Sequence, residues 1–398
     1  MITTSRFKTT LVAVATALGA GSAQALAPMP VKLGPIEFIP TIGLAEGYDS
    51  NIQQAPTGDE ISSAVTRLTP KLLLRSQERL NSYEFSYRGV YEFFSADAQD
   101  DRFNHYLLAT SHLEFDSRNR LDLKASFDQI QDVQNATNRQ YNQLGNRSNT
   151  FLLGGVYGFG AQTAKFNFDL GLDYKWLRYL NNLDTGTITL DQEYNSPAVR
   201  GILYYRIGPK TQLLAQVGYA NFDYVWSGSD LDSDNMTYLL GVTWQATAKT
   251  RGTIKVGYEQ KDFRDKEIDN PDTLAWDMAL TWTPMERAEI TFSTRSFIAE
   301  GSAQENYTDT QEYRLAWNHK WLERFASNLF ASYMNQKYQG GSYDGRDDKT
   351  SHFGLRLTYN LRRWVDVDLE ANYKQDDSTL ESATYDRNWF FLNFTFSL

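Results

Sequence analysis

The sequence predicts an all-β fold: a transmembrane antiparallel up-and-down β-barrel of eighteen strands, or sixteen if one hairpin is overcounted. Three observations predict it. The last stretch, Trp389 to Leu398, alternates with period two. Phe390, Leu392, Phe394, Phe396 and Leu398 share one face, while Phe391, Asn393, Thr395 and Ser397 share the other. Such a split suits a strand with lipid on one side and a polar interior on the other. The chain also holds 24 Tyr, 23 Phe and 9 Trp, yet its mean hydropathy is −0.51. Abundant aromatics with low hydropathy arise when half of every strand meets water. Third, tight breaks and long polar breaks alternate along the whole chain, as in a run of hairpins.

Residues 1–25 read as a signal peptide. Arg6 and Lys8 precede a small apolar run, Thr10 to Ala20, and Ala23-Gln24-Ala25 fits a small-x-small cleavage site. Residues 26–35 form a short periplasmic lead-in with Pro28, Pro30 and Pro35, and residues 36–398 the barrel. Removing Arg6 and Lys8 takes the formal charge from −10 to −12, a poor balance for binding nucleic acid. The chain has no cysteine, which excludes disulfide scaffolds and thiolate metal sites. No cofactor is expected.

The strand-like segments run in order. The first four are Ile36–Tyr48, Ser62–Gln77, Ser82–Ser95 and Phe103–Phe115. Next come Leu121–Gln131, Ser148–Phe159, Lys165–Tyr179, Glu193–Ile207 and Gln212–Trp226. Met236–Thr247, Gly252–Arg264, Thr273–Thr283, Ala288–Ala299 and Tyr307–Lys320 follow. Phe325–Tyr338, Thr350–Leu361, Val365–Lys374 and Arg387–Leu398 complete the set. In the seventh, Phe166, Phe168, Leu170, Leu172, Tyr174 and Trp176 oppose Lys165, Asn167, Asp169, Asp173 and Lys175. In the seventeenth, Val365, Val367 and Leu369 oppose Asp366, Asp368 and Glu370. Helical spacing would mix these sets; a two-faced strand separates them.

The tight breaks are centred on Arg79, Arg118, Thr163, Pro209, Lys249, Glu286, Glu323 and Arg363. The long ones include Asp49 to Glu60, Asp132 to Asn146, Asn181 to Asp191, Ser227 to Asn235, Gly340 to Asp348 and Asp376 to Tyr385. Short periplasmic turns and long extracellular loops are the bacterial outer-membrane pattern. Trp244, Trp282, Trp321 and Trp364 lie beside the turns and Trp226, Trp276 and Trp389 beside the loops, which predicts two aromatic belts.

Alternation points Arg88, Lys124, Lys175, Lys255, Arg295, Arg314, Arg356 and Arg362 into the lumen, with Glu84, Glu92, Asp169, Asp173, Glu259, Asp368 and Glu370. A mixed wall of this kind provides several weak sites for a permeating solute. Chemistry is the weaker reading. Ser111 and His112 are adjacent on a strand and so face apart, while His112 and Glu114 share a face. His105, His319 and His352 complete no metal-ligand spacing. Asp366, Asp368 and Glu370 form a lumen wall that Arg356, Arg362 and Lys374 would neutralise. Asp230, Asp232 and Asp234 resemble half a calcium loop, but Asn235 replaces the turn glycine and Gly241 the bidentate glutamate. An acidic loop bridged by divalent ions to lipopolysaccharide is the alternative there. The run Gly154 to Gly160 precedes a strand, not a helix, so it fails the context of a phosphate loop.

Two short elements carry a resemblance. Tyr48-Asp49-Ser50-Asn51-Ile52 follows the first strand, and Thr69-Pro70 opens an apolar stretch of the second. Together with the hairpin rhythm, they resemble the β-barrel porin family encoded beside exopolysaccharide and capsule genes. The C-terminal alternation resembles the signal that outer-membrane barrels present to their assembly machinery, though those chains most often end in Phe and this one in Leu398. The resemblance implies an outer-membrane channel for a secreted polysaccharide, anionic or neutral, with a periplasmic export partner. It implies contact with outer-membrane lipid and lipopolysaccharide, and supplies no catalytic residues. An uptake porin for sugars or other small solutes would need the same lumen. An outer-membrane enzyme or adhesin is the third reading.

Overall fold

The structure, a computed structural model, describes residues 30–133, 145–161, 163–181, 183, 189–245, 249–301 and 304–397. The predicted signal peptide, the first residues of the lead-in and Leu398 lie outside the described residues. So do parts of the predicted loops 132–146 and 181–191 and turn residues 162 and 248.

A short strand, β1 (Val31–Leu33), folds back on the start of β2 (Ile36–Asp49) through Gly34, so part of the predicted lead-in is strand. Next come β3 (Ser63–Glu78), β4 (Asn81–Phe94), β5 (Arg102–Glu114) and β6 (Asn119–Gln131). β7 (Arg147–Phe159), β8 (Phe166–Tyr179), β9 (Tyr194–Gly208), β10 (Thr211–Tyr224) and β11 (Ser233–Trp244) follow. Then come β12 (Thr250–Phe263), β13 (Asp272–Met285), β14 (Ala288–Glu300) and β15 (Tyr307–Leu322). β16 (Phe325–Gln339), β17 (Asp347–Arg362), β18 (Val365–Ser378) and β19 (Tyr385–Ser397) complete the wall. Each strand from β2 on pairs antiparallel with its chain neighbours. The ring closes where β19 pairs with β2, from Trp389 opposite Asp49 to Ser397 opposite Thr41. The result is the expected eighteen-stranded up-and-down barrel. Closure leaves no unpaired edge among these strands, the condition for a sheet to lie in lipid.

The two faces follow the alternation. Leu172, Leu203, Leu240, Tyr258 and Phe390 lie on the outer face, and all are exposed; Leu240 reaches 71%. The inner face carries the buried polar side chains, among them Asp169, Glu259, Lys261 and Glu370. A barrel this wide cannot be filled by strand side chains alone. Its interior must be a channel or be narrowed by loops.

Two details depart from the alternation count. The hairpin β17–β18 contains a bulge: Asn360 pairs with Asp366, but Arg362 pairs with Val365. That one-residue slip puts Arg362 opposite an outer-face residue, exposed at the turn, and removes it from the lumen set. Trp389 lies opposite Asp49 on the inner face, 5.2 Å from the His352 ring, so it is not part of an outer belt. Its odd number groups it with Phe391, not with Phe390. The turn-side belt instead gains Trp317, which meets Trp321 edge-on, with His319 packed against both.

Candidate functional site: the inner wall

Register places charges of alternating sign along cross-strand rows. One row runs Glu37, Arg75, Glu84, Thr110, Lys124, Gly154 and Asp173 from β2 to β8. Ion pairs tie neighbouring strands, Arg75 to Glu37 at 2.6 Å, Lys255 to Asp277 at 2.5 Å and Arg295 to Glu312 at 3.5 Å, and one, Arg120 to Asp169 at 2.6 Å, spans from β6 across β7 to β8.

The longest network crosses the seam where the ring closes. Arg356 meets Glu370 at 3.0 Å. Arg67 reaches Glu370 at 4.0 Å and Glu92 at 2.8 Å, and Arg102 meets Glu92 at 3.6 Å. Arg67 on β3 can reach β18 because β2 is low at Gly47 and the Phe391 ring of β19 lies flat across it. Gly47 has no side chain, and a Cβ there would sit 2.3 Å from the Phe391 ring. That ring therefore lies over Gly47, and the Arg67 guanidinium stacks on it 3.8 Å from the centroid. The same device serves β7. A Cβ on Gly158 would stand 2.4 Å from the Arg120 guanidinium, which crosses that glycine to reach Asp169. The glycine-rich run thus makes room for side chains, not for a phosphate.

The residues picked out by alternation spread around this wall and do not converge on one point. Arg88 lies over the Tyr106 ring at 4.3 Å, Arg295 over Phe297 at 3.7 Å and Arg314 over Phe330 at 4.1 Å. Lys175 donates to the Tyr194 hydroxyl at 2.5 Å. Lys124 stands opposite Gly154, whose missing side chain admits the Asp173 carboxylate. Glu84 is exposed and Glu92, Glu370 and Arg356 belong to the seam network. Glu259 accepts from the Asn235 amide at 3.3 Å and the Ile298 N–H at 3.2 Å. On β18, Asp366 accepts from Asn360 and Asp368 from Thr358, so of the expected neutralisers only Arg356 pairs with this carboxylate row, at Glu370; Lys374 lies over the Tyr385 ring instead. Sequence reasoning passed over Arg67, Arg102 and Lys261. All three share the parity of inward neighbours, so the signal was there; their place near the loop ends of strands hid it.

Two clusters fill the loop end from opposite sides. The first holds Ala45, Ile52, Val65, Phe94 and Phe391. It explains the Asp49–Ile52 element residue by residue. Asp49 takes Arg387 at 2.5 Å, and the Ser50 N–H donates to the Asn388 carbonyl at 2.9 Å. The Asn51 amide donates to the carbonyls of Ala55 and Asp386 at 2.8 and 3.1 Å. Ile52 is then driven into the cluster and is 1% exposed. The second cluster holds Tyr194, Tyr224, Leu231 and Phe263, with Phe222, Ile268 and Tyr307 against it. Here β13 and β14 part company: their pairing ends at Trp276 and Ser296, while β14 stays paired with β15 up to Glu300 and Tyr307. The freed tip leans over the inner face of β10 and β12. Glu300 accepts from Lys261 at 2.5 Å and from the Tyr224 hydroxyl at 3.0 Å. Lys261 is fully buried, its ammonium 4.5 Å from the Phe222 ring.

The chemical alternatives find no assembled site. His112 lies between Asp122 at 2.6 Å and Glu114 at 3.2 Å, with Ser111 on the opposite face. Asp232 takes Arg264 at 3.0 Å, and Asp234 takes Tyr219 and Asn221 on the outer face. Among the described residues no three metal-binding side chains converge.

A protein-family model described as "Putative beta-barrel porin 2" matches residues 24–398. Among solved structures the chain is similar to OccAB4 of Acinetobacter baumannii at 10% identity, covering 92% of this chain and 99% of that one, with a TM-score of 0.49. It is similar to OccK3 (OpdO) of Pseudomonas aeruginosa at 10% identity, covering 91% and 95%, with a TM-score of 0.44. The siderophore receptor PirA of the same organism aligns at 9% identity over 91% of this chain and 80% of that one, with a TM-score of 0.45. Likenesses this loose bear on neither solute nor direction. No curated protein matches the chain.

Proposed function

Since the chain belongs to the family of putative beta-barrel porins that residues 24–398 match, we propose that it passes a secreted polysaccharide through its interior to the cell surface. The protein is an outer-membrane β-barrel porin of bacteria. The export reading is supported by one observation above all: the inner wall mixes ion pairs with cations held over aromatic rings around its circumference. Paired groups leave outward lone pairs and N–H bonds that a hydroxyl-rich polymer can use, yet hold no single deep site from which it could not leave. Many inner-face aromatic rings carry a cation, as Tyr106, Phe297, Phe330 and Phe391 do. Polar contacts therefore suit this wall better than sugar stacking. The Asp49–Ile52 element and Thr69-Pro70 point to export through their family resemblance. Lipopolysaccharide around the barrel, the barrel-assembly machinery and a periplasmic export protein are the partners this reading requires.

The test is the amount of surface and secreted polysaccharide in a strain lacking the gene, beside a complemented control. Polymer lost outside and trapped in the periplasm is the expected result. Normal polymer would turn the reading to uptake of small solutes. A second expectation concerns the wall itself. Replacing Arg88, Arg314 and Arg356 together by glutamine removes three inner-face cations and will shift the reversal potential in a salt gradient towards cation selectivity. The barrel will still form, because Arg67 remains beside Glu370. An unchanged reversal potential would mean that ions do not pass these residues.

A further inference from the structure

The two rims of the barrel carry opposite charge. Every one of the eight tight turns has an exposed lysine or arginine. Arg79, Arg118, Lys165, Lys210, Arg287 and Arg324 each occupy a separate turn, Lys249 another, and Arg362 with Arg363 the last. Only Glu78, Asp116, Glu286 and Glu323 stand among them, so nine cations face four carboxylates. Asp116 counts in full: the Arg118 backbone N–H, and then Asn119, hold it below the usual carboxylate range. At the other rim the described loop residues include sixteen carboxylates and three cations, Arg264, Lys266 and Arg346. A net charge of −10 for the whole chain therefore hides a positive collar at one end.

We propose that the turn collar is the receiving surface for a polyanionic polysaccharide. The proposal rests on the polysaccharide reading and adds the charge of the polymer and the side from which it is captured. A regular ring of cations around one mouth raises the local concentration of a polyanion there and speeds its capture, while the acidic rim repels it. Fixed charge cannot drive net transport; synthesis on the turn side supplies the gradient. The collar sets how fast a chain end is found. Once inside, the polymer meets a wall where many cations are already held by carboxylates or aromatic rings, so the attraction that captures it does not hold it.

The experiment is polymer block of single channels in planar bilayers of zwitterionic lipid, with dextran sulfate as probe and neutral dextran of equal length as control. The chain has no cysteine, so Ser227→Cys in an exposed loop gives one thiol, and an impermeant reagent added to one chamber reports orientation. The on-rate of block by dextran sulfate is expected to be about tenfold higher from the turn side at roughly 0.1 M salt and to approach equality near 1 M. Neutral dextran will show no such difference. Lys165→Gln, Lys210→Gln, Arg324→Gln and Arg363→Gln combined will abolish the asymmetry and leave unit conductance near that of the parent. Equal on-rates at low salt, or an asymmetry that survives the four substitutions, would overturn the proposal. So would equal on-rates with a quadruple variant that loses only its binding to vesicles of anionic phospholipid; the collar would then serve headgroups. Failure of the underlying reading looks different: it is normal polysaccharide in the deletion strain.

Discussion

Replacing Glu300 by leucine will open the loop end of the barrel. The substitution removes the carboxylate that pairs with the Lys261 ammonium inside a cluster where it has no exposed side-chain surface. An unpaired buried charge costs about 3–5 kcal/mol, more than a strand tip lacking its β13 partner can absorb. The tip of β14–β15 will therefore swing off the inner face of β10 and β12 and let Lys261 hydrate. Unit conductance will rise, and the thermal midpoint of unfolding in detergent will fall. Lys261→Met combined with Glu300→Leu removes both charges and will recover most of the midpoint, because an apolar pair of similar volume can replace a buried ion pair. A single variant with parental conductance and midpoint would show that Lys261 is not buried and that the tip does not lean inward.

Ile52→Ala acts on the opposite side of the same mouth. Truncating a buried isoleucine costs about 2–5 kcal/mol, and here the loss falls on the loop between β2 and β3 rather than on the barrel. The strand pairs of β2 with β3 and β19 are untouched. The expected result is a loop that proteases cut between residues 53 and 62, current traces with more open-channel noise, and a barrel that still resists detergent at room temperature. Such local opening follows when few apolar contacts hold a segment. Cleavage no faster than in the parent would mean that the hydrogen bonds of Asn51 alone fix the loop, and Asn51→Ala would then show the effect instead.

Much of this was legible residue by residue. Period-two alternation sorted Phe166, Phe168, Leu170 and Leu172 from Asn167, Asp169 and Asp173, and lipid and water enforce that split more strongly than any pairwise contact. It failed at Arg362, where a bulge shifts the phase by one, and bulges leave little trace in side-chain pattern. At Trp389 the belt assignment overrode a parity that was visible. The Asp49–Ile52 element was noticeable as a motif. Its use as an anchor that pushes Ile52 inward was not, since its partners Arg387, Asp386 and Asn388 lie on the last strand.

By itself the sequence determined the class of fold, a strand number of eighteen or sixteen, and the polar and apolar faces. Each of these depends on spacing or composition within one strand or one connection, where the physics is local and repeats. The tertiary structure decided which charges neutralise one another. Arg67 with Glu370 and Arg120 with Asp169 are set by register between strands and by glycines that let a side chain cross a neighbouring strand. It also decided that the mouth is narrowed from two sides, because β14 leaves β13 and a loop turns inward. Register and loop docking depend on contacts between residues far apart in the chain, and a slip of one residue would reverse every pairing without altering the pattern that any single strand displays.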